Sequence, residues 1–365
     1  MNEKELYTWL MDNGGPVIRY RTATELMIPD KSLDIQALQN DMMQSRQVQK
    51  WLDRLVPPVF LLKEPTDITP WVLQSGIMDI HGSQPTRLEN SLAKLADFGL
   101  KKGISELDRR TQPYRKWLAE IAERPVKNVF IKFSPGILAS FLARAGYVDE
   151  QAVGYTLKKR LNMIYDFTRK GDYDIYIPNK YLRKLPLIKL ELSPGGDCYL
   201  PLIYDIVGWA AYLPEYGTKQ DRAKADTIIE YIFNEKYQEF PLGYGIMGDG
   251  TGRTWSLGWS VHLPRYFGAP DKKNVNKSVV QMISLLINFK AARQHAWFKE
   301  SMNYLESFRT EKGTYIFPSD YLEEKTNGYW VLGYHMGLEE TRRRNLEVES
   351  TFWMAKFHKM CKEVV

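Results

Sequence analysis

The sequence predicts an all-α protein with one small β-hairpin-like insertion, and three observations support this class. Most segments carry apolar residues at helical spacing, three or four positions apart. Proline and glycine clusters separate these segments, as at residues 134–136 and 193–196. Strand-like alternation is confined to two short stretches, so helices are expected to form most of the core.

The predicted elements follow in chain order. Residues 1–57 are interpreted as a helical lead-in arm that ends at Pro57-Pro58. Apolar stripes predict four further helices, marked by Leu88, Leu92 and Leu95; by Val153, Leu157, Leu161 and Ile164; by Ile228, Ile229, Ile232 and Phe233; and by Met302, Leu305 and Phe308. The stretches 173–178 (YDIYIP) and 187–192 (LIKLEL) alternate with a period near two, which predicts the hairpin. No composition shift divides the chain, so residues 1–365 are predicted to form one domain.

Residues 199–213, YLPLIYDIVGWAAYL, are apolar almost throughout, and Asp205 is the one charged residue among them. A helix with a solvated face would carry several polar residues over this length, so both faces are predicted to be covered. An ionised carboxylate in such a place must be paired, protonated or directed into a wet cavity.

A weak internal repeat accompanies the stripes. Four helices end in a phenylalanine followed by lysine, at Phe98, Phe167, Phe233 and Phe308, with intervals of 69, 66 and 75 residues. Each interval has room for a helical hairpin and a long loop. Repeated hairpins must stack to bury their apolar faces, either as an open solenoid or as a closed ring.

Helix pairs joined by turns such as FRTEKGTYIFP (308–318) resemble the repeats of the squalene-cyclase and protein-prenyltransferase superfamily. The resemblance covers roughly residues 85–360 and extends to an uncharacterised bacterial prenyltransferase-like branch. It implies an α/α toroid with a central cavity, ringed by the N-terminal ends of the inner helices.

The chain departs from this superfamily at its catalytic motifs. The D-x-D-D acid motif of class II terpene cyclases is absent, and the nearest acidic candidate is Asp249 in MGDGTGR (247–253). The resemblance to zinc-dependent prenyltransferases points to Asp197, Cys198 and His335, but their spacing differs from the family's. No cofactor is therefore predicted, and zinc on these three residues stays an alternative. In the other interpretation Asp197 caps a helix and Cys198 is a small buried apolar residue.

Charge and cysteine content exclude other classes. The net charge of +6 is dispersed, and its densest run, residues 342–344, is followed by acidic residues, which argues against a nucleic-acid partner. Two cysteines without a repeated spacing favour a reducing compartment. The sequence shows no apolar signal core and no run of eighteen apolar residues, so we predict a cytoplasmic protein without a transmembrane segment. The oligomeric state stays open.

Three segments place one ionisable residue among apolar and aromatic neighbours. These residues, Asp205, His262 and His335, are the predicted catalytic groups, expected to share one cavity and to donate or accept a proton. The alternative for Asp205 is a hydrogen bond to Tyr204, to another tyrosine or to a backbone amide. For each histidine alone, a place in the core is the alternative.

The predicted ligand-binding residues are aromatic or cationic. Aromatic side chains expected to line the cavity are Tyr204, Trp209, Trp255, Trp259 and Tyr334. His81 and Arg87 lie near the start of the helix that carries Leu88, where Ser83 or Thr86 could cap it. Together they predict an anion site at a helix N-terminus. Arg253, in the glycine-rich GDGTGRTW, is a second candidate anion ligand.

Three functions are compatible with these features. The first is an enzyme of the prenyltransferase or terpene-cyclase type that binds a hydrophobic small molecule, including an anionic one. Aromatic faces would stabilise cationic intermediates in such a cavity. The second is a ligand-binding or scaffold protein that keeps the fold without the chemistry. The third is a glycan-active enzyme, which would pair Asp205 with Asp249 or Glu349.

Overall fold

The computed structural model describes residues 1–28, 33–56, 79–122, 129–193, 197–248, 252, 254–266, 276–339 and 345–363, without the side chains of 129–132 and 363. Within these residues fifteen α-helices form most of the structure. In chain order they are α1 (Glu3–Asn13), α2 (Pro16–Arg21), α3 (Ile35–Gln44), α4 (Arg46–Arg54), α5 (Leu88–Asp97), α6 (Ser105–Ile121), α7 (Val129–Arg144), α8 (Gln151–Thr168), α9 (Ile203–Tyr216), α10 (Lys219–Ile232), α11 (Glu235–Gln238), α12 (Val279–Leu286), α13 (Lys290–Gln294), α14 (Ala296–Glu306) and α15 (Leu346–Glu363). The prediction of a mostly helical fold is confirmed.

A small sheet accompanies the helices. Its strands are β1 (Tyr176–Leu182), β2 (Leu185–Ile188), β3 (Ile246–Gly248) and β4 (Thr254–Ser256), in the spatial order β1-β2-β3-β4. The predicted hairpin is present as the antiparallel pair β1–β2, although its strands are shifted from 173–178 and 187–192. Residues 190–192 form a short 3-10 helix instead of a strand. Sequence analysis missed β3 and β4 because three residues are too few to show a period of two.

The helices after α4 form two layers. In one layer α5, α7, α9, α12 and α15 contact one another in sequence. In the other layer α6 contacts α8, α8 contacts α10, and α10 contacts α13, which leads into α14. From α5 to α10, consecutive helices therefore alternate between the layers, as helical hairpins do when they stack side by side.

Gly208 lets three helices meet closely. A Cβ atom at Gly208 of α9 would lie 2.4 Å from Leu157 Cδ2 of α8 and 2.7 Å from Ser140 Oγ of α7. Neighbours on both sides of α9 explain why residues 203–213 are apolar around the whole helix.

The phenylalanines of the repeat all lie at helix C-termini, but they do not mark equivalent helices. Phe98 directly follows α5, whereas Phe167, Phe233 and Phe308 end or follow α8, α10 and α14. The layer of α5 differs from that of the other three helices. The interval from Phe98 to Phe167 is therefore not one repeat unit.

The N-terminal helices pack against α15. Residues Thr22–Leu26 form a π-helix directly after α2. Glu25 of this turn accepts a bidentate ion pair from Arg21 and a bond of 2.7 Å from Lys356 Nζ. Arg21 also lies over the ring of Phe352, 4.5 Å from its centroid. These contacts join α2 and the π-helix to α15 through one buried and two partly buried charges. No helix in the described ranges is long and apolar enough to cross a membrane.

Candidate functional site

A cavity of about 490 Å³ is lined by the first half of α7, by the start of α9 and by Ile80 and His81, which precede α5. Its wall is mostly apolar, and it includes residues of the β1–β2 hairpin, of β4 and of the loop after β4. The apolar and aromatic lining residues are Ile80, Phe133, Ile137, Leu185, Leu202, Tyr204, Leu242, Trp255, Leu257 and Trp259. A mostly apolar concave site with a few convergent polar groups is typical of small-molecule binding.

The polar groups centre on Glu89, the second residue of α5. Its side chain has no exposed surface, and its Oε1 lies 2.8 Å from His81 Nδ1. The other carboxylate oxygen accepts a hydrogen bond of 2.9 Å from the Tyr204 hydroxyl, which also lies 3.1 Å from His81 Nδ1. Glu89, His81 and Tyr204 thus form one hydrogen-bonded cluster, called here the His81 cluster.

The backbone at Gly82 helps to form the His81 cluster. Gly82 has a φ of +151°, which side-chain-bearing residues rarely adopt. In this conformation its amide donates a hydrogen bond of 2.6 Å to Glu89 Oε1. The turn therefore places His81 beside the carboxylate and adds one donor to it.

The charge of Glu89 raises the pKa of both of its ionisable partners, His81 and Tyr204. Burial alone would lower the pKa of His81, but the charge of Glu89 and its hydrogen bond outweigh burial and raise that pKa above 6.5. Burial, reinforced by Glu89, raises the pKa of Tyr204 well above 10, so this hydroxyl stays protonated and donates. The His81 side chain is 30% exposed, and no described residue hydrogen-bonds its Nε2 atom. This atom is therefore available to exchange a proton with a molecule in the cavity.

Asp205 also lines the cavity, but it is held by Arg160 of α8. Arg160 Nε lies 2.9 Å from Asp205 Oδ1, and Arg160 Nη2 lies 2.7 Å from Asp205 Oδ2. The Leu202 amide, at the start of α9, donates a bond of 2.8 Å to the same carboxylate. Two hydrogen bonds from one guanidinium make this a bidentate ion pair, one of the strong kinds of side-chain contact. This pairing does not support the prediction that Asp205 donates a proton.

The other two predicted catalytic residues do not line this cavity. His335 is fully buried beside Trp51, with ring centroids 5.1 Å apart, and its Nε2 lies 3.1 Å from the Gly328 carbonyl. His262 is buried in the segment whose Val261 and Leu263 backbones bind the Gln238 amide. The structure therefore places Asp205 at the cavity wall without His262 and His335.

Of the five aromatic residues predicted to line the cavity, three do so and two do not. Tyr204, Trp255 and Trp259 line the cavity. Trp209 is fully buried and donates its Nε1 hydrogen bond of 3.1 Å to the Leu157 carbonyl, so it is a core residue. Tyr334 does not line the cavity, and its hydroxyl accepts a bond of 2.7 Å from Lys277.

At the start of α5, the residues predicted to bind an anion have partners within the protein. Arg87 is paired with Asp79 at 2.8 Å, and neither Ser83 nor Thr86 caps the helix. The first turn of α5 already holds an anion of the protein itself, the Glu89 carboxylate. Arg253 and Asp249 lie outside the described residues, so the predictions for them stay predictions.

The residues of the zinc alternative are not assembled. Asp197 and Cys198 line the cavity, whereas His335 does not. Burial raises the pKa of the Cys198 thiol to about 12, so it is protonated at neutral pH. Within the part of the chain that the structure describes, no three histidine, cysteine, aspartate or glutamate side chains lie close enough to hold a metal.

Sequence analysis missed two residues of the site, Glu89 and Arg160. Arg160 carried a usable signal, since it lies three positions after Leu157 and four before Ile164, on the apolar face of α8. A charge at such a position needs a buried partner, and Asp205 needed one too. Glu89 follows Leu88 and looked like a solvated charge in the first turn of a helix.

Comparison with known proteins finds no matching family model, no matching curated protein and no matching solved structure.

Proposed function

We propose that the protein is an enzyme that performs acid–base chemistry on a hydrophobic small molecule with a carbonyl or anionic group. The observation that carries this proposal is the His81 cluster at the wall of an apolar cavity. A histidine held by a buried carboxylate, with its other nitrogen available, is the arrangement of a general acid or base.

Each residue of the site has a role in this proposal. His81 gives a proton from Nε2 to an oxygen of the substrate. Glu89 fixes the orientation of the imidazole and balances its positive charge, and Tyr204 fixes Glu89. Trp255 and Trp259 pack against the apolar part of the substrate. An imidazolium is too weak an acid to protonate an isolated alkene, so a carbonyl or a leaving-group oxygen suits it better.

The proposal keeps the α/α toroid of the squalene-cyclase and prenyltransferase superfamily for residues 1–365. Two features support it: the alternation of helices between two layers from α5 to α10, and a cavity lined by the first half of α7, the start of α9 and the segment before α5. The proposed chemistry departs from that of the class II cyclases, because the proton comes from His81 and not from an aspartate. A cytoplasmic location stays a prediction from the sequence.

A binding protein without catalysis is the second candidate. The cavity's Arg160 and Asp205 neutralise each other, and Arg160 Nη1 also donates to the Cys198 carbonyl at 2.5 Å. The charges near the ligand would then serve the fold alone. A glycan-active enzyme is less well supported, because Glu349 does not line the cavity and accepts hydrogen bonds from the Leu338 and Glu339 amides.

Binding of the anionic, apolar dye 1-anilinonaphthalene-8-sulfonate tests the site. Wild-type protein should bind the dye more tightly at pH 6 than at pH 9, since protonated His81 attracts its sulfonate. His81→Gln should remove most of this pH dependence. His358→Gln is the matched control, because His358 also pairs with a glutamate, Glu306, but lies away from the cavity. Equal dye binding by wild type and His81→Gln at both pH values would contradict the proposed site.

A second experiment separates enzyme from binding protein. Native mass spectrometry of protein purified from its host identifies any retained molecule. That molecule is then incubated with the protein in deuterated water, and mass spectrometry follows chemical change or deuterium uptake. Conversion by wild type and not by His81→Gln supports an enzyme. Retention without any conversion supports the binding protein.

A further inference from the structure

The β1–β2 hairpin projects apolar side chains into solvent. Every residue from Pro178 to Leu185 is exposed. Tyr181 is 68% exposed, and Leu182 and Leu185 are 38% and 37% exposed. Exposed apolar residues that occur singly need no explanation, but this tip is apolar on both faces, with the pair Leu182 and Leu185 on one face and Tyr181 on the other.

The same tip carries uncompensated positive charge. Residues 175–190 contain four cationic residues and no aspartate or glutamate. Lys189, near the base, pairs with Asp174 at 2.7 Å. Lys180, Arg183 and Lys184 form neither an ion pair nor a hydrogen bond through their side chains with any residue that the structure describes.

The turn itself holds two of these cations in an unfavourable backbone conformation. Leu182 pairs with Leu185, so the loop consists of Arg183 and Lys184 alone. Their φ angles are +51° and +65°, as in a type I′ turn, where Asn-Gly is strongly preferred. Residues kept in a strained conformation are more often found at functional positions. Here the strain places two long cationic side chains at the outermost point of the hairpin.

The hairpin also reaches the cavity. Leu185 is partly exposed and at the same time lines the cavity wall. The apolar and cationic tip is therefore continuous with the rim of the apolar cavity.

We propose that this tip docks on an anionic membrane surface. Tyr181 and Leu182 would enter the headgroup region, where amphipathic aromatic residues are favoured. Lys180, Arg183 and Lys184 would lie against anionic headgroups. The rim at Leu185 would then face the bilayer, from which a hydrophobic molecule can enter the cavity. The proposal uses the hairpin and the position of the cavity, and it is independent of the acid–base role of His81.

The size and charge of the tip favour a lipid surface over a protein. A stable protein interface uses about 20–30 residues on each side, whereas the exposed tip comprises the eight residues 178–185. A lipid surface needs no matching shape, and a few apolar side chains with nearby cations are enough for reversible binding.

Co-sedimentation with vesicles tests the proposal. Full-length protein is mixed with vesicles of phosphatidylcholine alone or of phosphatidylcholine with phosphatidylglycerol, and should bind only the second kind tightly. The variant Lys180→Gln/Arg183→Gln/Lys184→Gln should bind about 100-fold more weakly, because each cation near the surface contributes roughly fivefold. The matched control Lys116→Gln/Lys219→Gln/Lys312→Gln removes three exposed charges elsewhere and should retain most of the binding. Tyr181→Ser should weaken binding several-fold without affecting the fold.

Two further variants keep the result interpretable. Arg183→Asn/Lys184→Gly suits the type I′ turn, so it should melt no lower than wild type and still lose vesicle binding. His81→Gln should bind vesicles like wild type, which separates this proposal from the proposed acid–base chemistry. Equal binding of the hairpin and control triple variants, or no preference for anionic vesicles, would overturn the proposal. So would a wild-type dimer in ultracentrifugation that Tyr181→Ser converts to a monomer, since the patch would then be a subunit interface.

Discussion

Replacing Asp205 by asparagine removes the charge that balances the buried guanidinium of Arg160. The carboxylate accepts three hydrogen bonds, two from Arg160 and one from the Leu202 amide. An asparagine has one acceptor oxygen and can keep only part of this set. The variant should therefore lose stability, even though its shape is almost unchanged.

The size of the loss follows from the burial of the pair. Removing one member of a buried ion pair costs about 3–5 kcal/mol. The Arg160 side chain is 15% exposed, so water compensates its charge in part, and the lower end, about 3 kcal/mol, is expected. An unfolding entropy of roughly 2.1 cal/mol/K per residue gives about 0.8 kcal/mol per degree for this chain length. The melting temperature should therefore fall by about 4 °C.

Differential scanning calorimetry measures this shift, and Asp221→Asn is its matched control. Asp221 is also buried and holds the same position in the first turn of α10, where it accepts from the Thr218 amide and hydroxyl. Its nearest cation, Lys158, is about half exposed and 3.7 Å away. Loss of a cap alone costs about 1 kcal/mol, so Asp221→Asn should shift the melting temperature by roughly 1 °C.

A double-mutant cycle completes the test. Arg160→Met/Asp205→Asn leaves no unpaired charge, so it should cost less than the sum of the two single variants by at least about 1.5 kcal/mol. An unchanged melting temperature in Asp205→Asn, together with altered dye binding, would refute this reasoning. Asp205 would then belong to the site chemistry and not to the support of the fold.

Two other predictions address the His81 cluster and the helix packing. Histidine NMR should give a pKa for His81 above 6.5, and Glu89→Gln should bring it below that value, because burial remains when the attracting charge is lost. The stability contributed by the pair of His81 and Glu89 is complete below about pH 6.5 and is lost as the pH rises through the raised pKa of His81. His81→Gln should therefore destabilise the protein more at pH 6 than at pH 9. A larger loss of stability at pH 9 would contradict this pairing. Gly208→Ala should cost about 1–3 kcal/mol in urea unfolding, because its Cβ would clash with Leu157 and Ser140. Gly154→Ala is the control, because Gly154 lies on α8 and no heavy atom would be closer than 3.7 Å to its new Cβ. This variant should be neutral or stabilise the protein by up to about 1 kcal/mol. Equal losses of stability in the two variants would exclude the proposed close approach of helices at Gly208.

Local periodicity was sufficient to predict the helices. The stripe at Leu88, Leu92 and Leu95 lies within α5, and the stripe from Val153 to Ile164 lies within α8. Helical spacing depends only on neighbours three or four positions away, so it can be found in one sequence. The order of helices in two layers depends on contacts between residues far apart in the chain, which this pattern does not contain.

The candidate site shows the same division between local and distant information. Burial of Asp205 followed from its apolar neighbours, but its partner, Arg160, lies 45 residues earlier on another helix. Glu89 looked like a solvated charge because its own neighbours permit solvation. It is buried because Tyr204 of α9 covers it, 115 residues later in the chain. His81 was predicted to bind an anion together with Arg87, and in the structure its Nδ1 lies 2.8 Å from the Glu89 carboxylate.

The contacts between the N-terminal helices and α15 also determine when the chain can finish folding during synthesis. Glu25 precedes its partner Lys356 by 331 residues. At about 5–20 residues per second, roughly 15–65 s pass between the synthesis of these two residues. During this time the apolar face of α1, with Leu6 and Leu10, has no α15 to cover it and is open to chaperones and proteases. Helices α1 and α2, which are made long before α15, should thus be among the last of the described helices to become protected, an order that pulsed hydrogen exchange on nascent chains would detect.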